Sequence, residues 1–138
     1  MGRAREMAMY ERAAYAPTWT GSSTNPAIGN GTITGRYMRH GKMVVATINI
    51  TAGSTTTYGS GYWIFTLPFT ADTTVSPIGT AQILDSSFGI VYTGNVIHVS
   101  STTMVVYADS QSAAVGATVP MTWATSDTLR LTLTYEAA

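Results

Sequence analysis

Side chains capable of catalysis are few in this sequence and do not form a recognisable group. Neither histidine, His40 or His98, belongs to a spacing typical of a metal site. The aspartates stand at the ends of apolar runs or in a loop, where aspartate commonly supports a turn. They are Asp72, Asp85, Asp109 and Asp127. No spacing requires a paired-carboxylate hydrolase site, and no serine stands in a G-x-S-x-G motif. We therefore expect no catalytic residue and no enzymatic activity.

Motifs for cofactors and metals are also missing. The run 29–35 (GNGTITG) has the spacing G-x-G-x-x-x-G but leads into a strand pattern instead of a helix, which argues against a dinucleotide site. The chain has no cysteine, so disulfides and thiolate metal ligands are excluded. We expect no cofactor and no bound metal.

The segment 36–42 (RYMRHGK) is basic and contains an aromatic residue, which is a weak signal for nucleic-acid binding. The net charge of the chain is zero, however, and no second basic stripe accompanies the segment. A solvated hairpin or an anchoring patch is the better interpretation. We expect no nucleic-acid partner.

Composition indicates an uncharged, hydroxyl-rich surface. Threonine (24) and serine (12) make up about a quarter of the 138 residues, whereas charged residues make up 10% instead of the roughly 25% usual for soluble domains. Such surfaces are common on extracellular, virion and repeat-assembly β proteins. No apolar run approaches the length of a membrane span, and the first residues lack the apolar stretch of a signal peptide. We expect no membrane partner and synthesis in a cytoplasm.

The charges are unevenly distributed along the chain. Residues 1–42 carry six basic and two acidic side chains, and residues 43–138 carry one basic and five acidic side chains. The two parts therefore have net charges of +4 and −4. This uneven charge either orients the protein on an acidic partner or reflects ordinary solvated charges. Screening by salt limits the range of any such orientation to about 8–10 Å.

The chain changes character at Pro17, where a short arm gives way to a long β-type body. Residues 2–16 are rich in helix formers, and the segment from Arg3 to Ala14 is long enough for about three helical turns. A helix this short is marginal in water, so we expect an arm, helical or extended, that becomes ordered on docking. The predicted division is an arm over 1–16 and a β domain over 17–138.

The body reads as a series of short strands separated by turn residues. The predicted strands are Gly31–Arg39, Lys42–Thr51, Tyr62–Leu67, Gly79–Asp85, Ile90–Val99, Thr103–Asp109 and Thr128–Tyr135. Side chains alternate along Lys42–Thr51 and Thr128–Tyr135, which predicts one face of each strand on the core. His40-Gly41 suits a tight hairpin, and Gly94-Asn95 predicts a bulge or bend. About eight such strands indicate an all-β fold, an antiparallel β-sandwich or jelly roll.

Two sets of aromatic and apolar residues are candidates for binding. The segment Tyr62–Leu67 is apolar on both faces, so it is either a central strand or a subunit interface, with Tyr62 and Ile64 as interface residues. Tyr58 and Tyr62 lie in or beside the flexible loop Gly53–Gly61, where exposed rings can stack on sugars. Most of the other aromatic residues should be in the core.

Several phrases of the body resemble a known family. They are 15–20 (YAPTWT), 25–32 (NPAIGNGT), 35–37 (GRY), 53–61 (GSTTTYGSG) and 120–129 (PMTWATSDTL). Together they resemble a β-domain of structural proteins in tailed bacteriophages of actinobacteria, often found at the C-terminus of minor tail proteins. The resemblance runs from about Tyr15 to the end and implies a virion protein with a jelly-roll-like domain that trimerises.

Three functional hypotheses follow. The first is a homotrimeric decoration protein on the outer surface of the phage head, made in the host cytoplasm, whose arm contacts the major capsid protein. The contact residues would be Arg3, Arg5, Met7, Tyr10 and Arg12. The second is a minor tail protein or tail-fibre tip that recognises host cell-surface glycan through Tyr58 and Tyr62. The third, a hydrolase of envelope polysaccharide, ranks last because no site supports it.

Overall fold

The computed structural model describes residues 10–109 and 113–138. These residues form ten strands and no helix. The strands are β1 (Tyr10–Tyr15), β2 (Trp19–Gly21), β3 (Thr32–His40), β4 (Met43–Thr51), β5 (Trp63–Thr66), β6 (Ile78–Asp85), β7 (Ile90–His98), β8 (Thr103–Ala108), β9 (Ala113–Ala114) and β10 (Thr128–Glu136). In this part of the chain, then, there is no helix of the length and apolarity that crossing a membrane requires.

All strands belong to one antiparallel sheet that curls as a half-barrel. The strand order is β1-β3-β4-β10-β6-β7-β8-β5-β2, with β9 paired to β8. The all-β, antiparallel part of the prediction is confirmed. The sandwich or jelly roll is not, because β10 pairs with β4 on one side and with β6 on the other and so joins the strands into a single sheet.

The two end strands of the sheet are consecutive in the sequence and are tied together. The Tyr15 hydroxyl donates to the Thr66 carbonyl at 3.1 Å, and the Thr18 amide donates to Thr66 Oγ1 at 2.9 Å. These bonds bring β1 and β2 to the same strand, β5, and hold the curl of the sheet.

Strict alternation of side chains places the core inside the curl. Along β4 and β10 every second residue is buried. These residues are Val44, Ala46, Ile48, Ile50, Leu129, Leu131, Leu133 and Tyr135. Because a one-residue slip would expose the whole set, burial of this face fixes the pairing of β4 with β10. The alternation predicted for these two strands is confirmed.

An aromatic cluster fills one end of the core. Trp63 packs against Trp123 at 4.7 Å and against Trp19 at 4.9 Å between ring centroids. The indole N–H groups of the two buried tryptophans have partners: Trp63 donates to the Tyr58 carbonyl, and Trp123 donates to the Gly116 carbonyl. The expectation that most aromatic residues are in the core is confirmed for these side chains.

The predicted hairpin of β3 and β4 is confirmed, with Gly41 in the left-handed region at φ 61°. The bulge predicted at Gly94 is wrong. Gly94 pairs in regular register with both Ala81 and Ala108. A Cβ atom at this position would lie 2.6 Å from the Tyr107 carbonyl oxygen. Glycine at position 94 therefore allows two strands to approach closely and does not form a bend.

Of the two forms predicted for the arm, helical or extended, the described part from Tyr10 to Ala14 is extended, and the helix is not seen there. Tyr10–Tyr15 is an edge strand that pairs in register with β3 over its whole length. A helix of this length has little stability of its own, whereas the exposed edge of β3 offers a complete set of hydrogen bonds. The Tyr37 hydroxyl also donates to Glu11 across this pair. The division into arm and body at Pro17 stays a prediction.

Candidate binding surface

The side chains that point away from the core form a broad outer face. It is built from alternate residues of β3, β4, β10, β6, β7 and β8, because successive side chains of a strand point to opposite sides. Strand register places these residues in rows that run across the sheet. Along the direction of the strands, the middle of the face is polar, and the regions near the two strand ends are apolar.

The polar centre consists of two rows, which we call the polar band. The first row is Thr34, Asn49, Arg130, Gln82 and Thr93. The second row is Arg36, Thr47, Thr132, Thr80, Asn95 and Tyr107. Between them lies a groove of about 500 Å³, whose polar lining is Thr47, Asn49, Thr80, Gln82, Arg130 and Thr132. Hydroxyl, amide and guanidinium groups therefore share one shallow groove.

One end of the polar band is closed by a carboxylate. Asp109 accepts hydrogen bonds from Thr93 Oγ1 at 3.2 Å and from Asn95 Nδ2 at 3.0 Å. Its two oxygens thus each contact one of the two rows at β7. The carboxylate is hydrogen-bonded to residues of β7, and strand β6 lies between β7 and Arg130 on β10.

Exposed apolar side chains flank the band at both ends. The methionine flank comprises Met38, Met43, Val75 and Ile78, which are 48%, 54%, 63% and 73% exposed. A cavity of about 450 Å³ lies beside this flank, and its lining combines Met43, Val75 and Pro77 with the charged residues Lys42, Asp72 and Glu136. The phenylalanine flank comprises Phe88 in the β6–β7 turn and Val91 at the start of β7, which are 79% and 52% exposed. Exposed large apolar groups in such number mark contact surfaces more often than ordinary solvated surface.

The predicted interface strand is buried on one side only. Trp63 and Phe65 of β5 enter the core, while Ile64 is half-buried on the opposite side. Tyr62, 46% exposed, precedes β5 and forms an isolated bridge with Gly116. The assignment of Tyr62 and Ile64 to a subunit interface stays a prediction.

Tyr58 belongs mainly to the aromatic cluster. Its ring stacks at 6.5 Å on Trp63 and at 6.4 Å on Trp123. Burial raises the pKa of its hydroxyl, with a smaller contribution from the charge of Asp127. Tyr62 is the more exposed of the two tyrosines named as glycan contacts. That role stays a prediction for both.

Of the predicted docking residues, two are described. Tyr10 is exposed on β1 with its ring 6.4 Å from that of His40. Arg12 is exposed on the same strand, beside Arg36 and Met38 in a groove of about 180 Å³. Arg3, Arg5 and Met7 lie outside the described residues.

The acidic groups and histidines serve local structure. Asp85 accepts from the Ser87 and Phe88 amides and Asp127 from the Ala124 amide, so both hold turns. His98 is buried with Nε2 3.1 Å from the Val75 carbonyl oxygen. Residues 10–109 and 113–138 contain no group of three or more His, Asp or Glu side chains suited to a metal ion.

The alignment of the polar band was not foreseen from the sequence. Alternation along β4 and β10 indicated which residues face outward, but no local signal indicates which of them lie side by side. Register between strands that are distant in sequence decides this. Arg130 and Gln82 are opposite one another only because β10 pairs with β6.

Comparison with known proteins indicates the class of protein. No protein-family model matches the chain, and no solved structure matches it. It is 28% identical over 125 residues to the "Mu-like prophage FluMu defective tail fiber protein" of Haemophilus influenzae. The match covers 90% of this chain and 20% of that protein, so the chain spans about a fifth of the relative's length.

The similarity supports a role as a phage structural protein. It agrees with the resemblance to phage structural proteins noted in the sequence, and it suggests a virion component. It also favours a non-enzymatic function, since the relative is named for its place in the tail fibre.

Proposed function

We propose that this chain is a non-enzymatic module of a phage tail fibre, located on the outer surface of the virion, that recognises the host cell surface. The observation that carries the proposal is the match with a tail fibre protein over 90% of the chain. A match of that extent includes most of the strands of the outer face. The polar band then provides hydrogen-bonding groups for a ligand on a rigid β scaffold.

The module would act as a homotrimer. The methionine flank and the phenylalanine flank expose apolar side chains that association would remove from water, at roughly 25 cal/mol per Å² of apolar surface. Tyr62 and Ile64 remain candidates for the same contact. Sedimentation of the purified chain tests this point, and a monomer at micromolar concentration would contradict it.

Decoration of the phage head is the second candidate. It is favoured by the position of β1 at the edge of the sheet, where Tyr10 and Arg12 are exposed and continuous with residues 1–9. An edge strand is a natural site for pairing with another chain. In this case Arg3, Arg5, Met7, Tyr10 and Arg12 would contact the major capsid protein.

Counting the copies per particle separates the two candidates. We expect quantitative mass spectrometry of purified virions to find a few to some tens of copies, and gold-labelled antibody to bind the tail. Hundreds of copies with label on the head would overturn the tail assignment in favour of decoration. Hydrolysis of host cell wall that is lost on changing one Asp or His would overturn the non-enzymatic assignment.

A further inference from the structure

We propose that the groove of the polar band binds an anionic saccharide, with Arg130 as the residue that recognises a carboxylate or phosphate group on the sugar. This inference rests on the proposed function, since it names the kind of host ligand. It concerns the surface of β4, β10 and β6, which is separate from Tyr58 and Tyr62.

Arg130 has an unusual position for its charge. It is the only Lys or Arg in residues 43–138, a part of the chain with a net charge of −4. It is exposed in the middle of the groove, and the polar residues that line the groove include no carboxylate. Asp109 is hydrogen-bonded to Thr93 on β7. Strand β7 is two strand spacings, or about 10 Å, from β10, and solvent screens charges strongly over that distance. Among the residues that the structure describes, no carboxylate lines the groove beside Arg130, so its charge is left for a ligand.

The neighbours of Arg130 complete a recognition set. Asn49 and Gln82 are its direct cross-strand partners on the two sides, and such pairs have Cβ atoms about 5 Å apart. A guanidinium group matches a carboxylate or phosphate with two parallel hydrogen bonds. The amides beside it can both donate to and accept from sugar hydroxyls.

The second row of the polar band adds hydroxyl groups beside the row that contains Arg130. Thr47, Thr132 and Thr80 lie in the next row, side by side on β4, β10 and β6. Their hydroxyls repeat at the strand spacing of about 4.8 Å. That spacing is comparable to the length of a sugar ring, so consecutive sugar units can each meet a hydroxyl or an amide.

A saccharide fits this groove better than a peptide or a nucleic acid. The central strands β4, β10 and β6 are paired on both sides, so a peptide cannot add to them by main-chain hydrogen bonds. Nucleic-acid binding relies on several phosphate contacts and on stacking. The groove offers one cation, Arg130, and no aromatic ring among its lining residues.

The test uses the purified full chain and calorimetric titration with three probes. They are a uronic-acid oligosaccharide, a glycerol-phosphate polymer, and a neutral oligosaccharide of matched length. We expect at least one anionic probe to bind and the neutral probe to bind at least tenfold more weakly. Which anionic probe binds identifies carboxylate or phosphate as the recognised group.

Variants localise the binding. Arg130→Gln should weaken binding at least tenfold, while Lys42→Gln, which removes the same charge in the turn before β4, should leave it unchanged. Thermal unfolding of both variants establishes that they are folded. Equal binding by Arg130→Gln and the unaltered chain, equal binding of the neutral probe, or binding of neither anionic probe overturns the inference. A chain that binds the anionic probe through Arg130 but is counted in hundreds on the head overturns only the tail assignment.

Discussion

Replacing Asp127 tests whether one buried carboxylate joins two separate loops. Asp127 is 1% exposed. Its Oδ2 accepts from the Ala124 amide at 2.7 Å, within the loop that precedes β10. Its Oδ1 accepts from the Ser86 amide at 2.9 Å and from Ser86 Oγ at 3.1 Å, in the β6–β7 turn. One side chain therefore connects segments about 40 residues apart in the sequence.

The expected cost follows from these three bonds. A hydrogen bond to a charged group contributes about 1.5–3 kcal/mol, and a buried amide left without a partner costs about 1–3 kcal/mol. The partners are only partly buried, so water recovers some of this loss, and we expect Asp127→Ala to lower the free energy of unfolding by about 3 kcal/mol. For a domain of this size that corresponds to a fall in Tm of about 12 °C.

Asparagine at the same position separates shape from hydrogen bonding. Asp127→Asn keeps the volume but replaces one acceptor oxygen by an NH₂ group, which then faces a backbone N–H donor at Ala124 or Ser86. We expect a loss of about 1–2 kcal/mol, smaller than that of the alanine variant.

Urea unfolding followed by tryptophan fluorescence measures both effects. Asp109→Asn is the matched control, because Asp109 is exposed and its two partners can still be bound or solvated; its change should stay within about 0.5 kcal/mol. A loss of less than about 0.5 kcal/mol for Asp127→Ala would refute the reasoning, since the buried carboxylate would then have no measurable effect on stability.

Three further predictions concern packing, pH and association. Gly94→Ala should destabilise the fold by about 2 kcal/mol in the same urea assay, because its Cβ would press on the Tyr107 carbonyl; an unchanged midpoint would contradict the close approach. Burial raises the pKa of Tyr15, so the stability it adds is present below about pH 10 and is lost as the pH rises above that value. Calorimetry should show Tm falling above about pH 10, less steeply for Tyr15→Phe, and an identical slope would count against it. Ile78→Ser, at a position 73% exposed, should leave the circular-dichroism spectrum unchanged but weaken self-association in sedimentation, and an unaltered oligomer would remove the methionine flank from the interface.

The sequence alone determined the class of fold and most of the strands. Alternation in Thr128–Tyr135 and in Lys42–Thr51 predicted β10 and β4 together with their buried faces, and His40-Gly41 predicted the turn before β4. These signals are local, since the side-chain period of a strand and the conformation of a turn depend on adjacent residues.

Local sequence signals were misleading where a strand's structure depends on a pairing partner elsewhere in the sequence. The segment before Pro17 has helix-forming residues, yet Tyr10–Tyr15 is a strand because the edge of β3 is available to it. Gly94 reads as a strand breaker, yet it lies in regular pairing because Tyr107 approaches it closely. In both cases a tertiary contact outweighs an intrinsic preference of less than about 1 kcal/mol per residue.

The candidate site is a product of the tertiary structure. The sequence indicates that Arg130, Asn49 and Gln82 point outward from their strands, but Asn49 and Gln82 lie 81 and 48 positions from Arg130 along the chain. Only the pairing of β10 with β4 and with β6 brings them into one row. That pairing is fixed by burial of the opposite face of the sheet, so packing of the apolar core determines which polar groups meet on the surface.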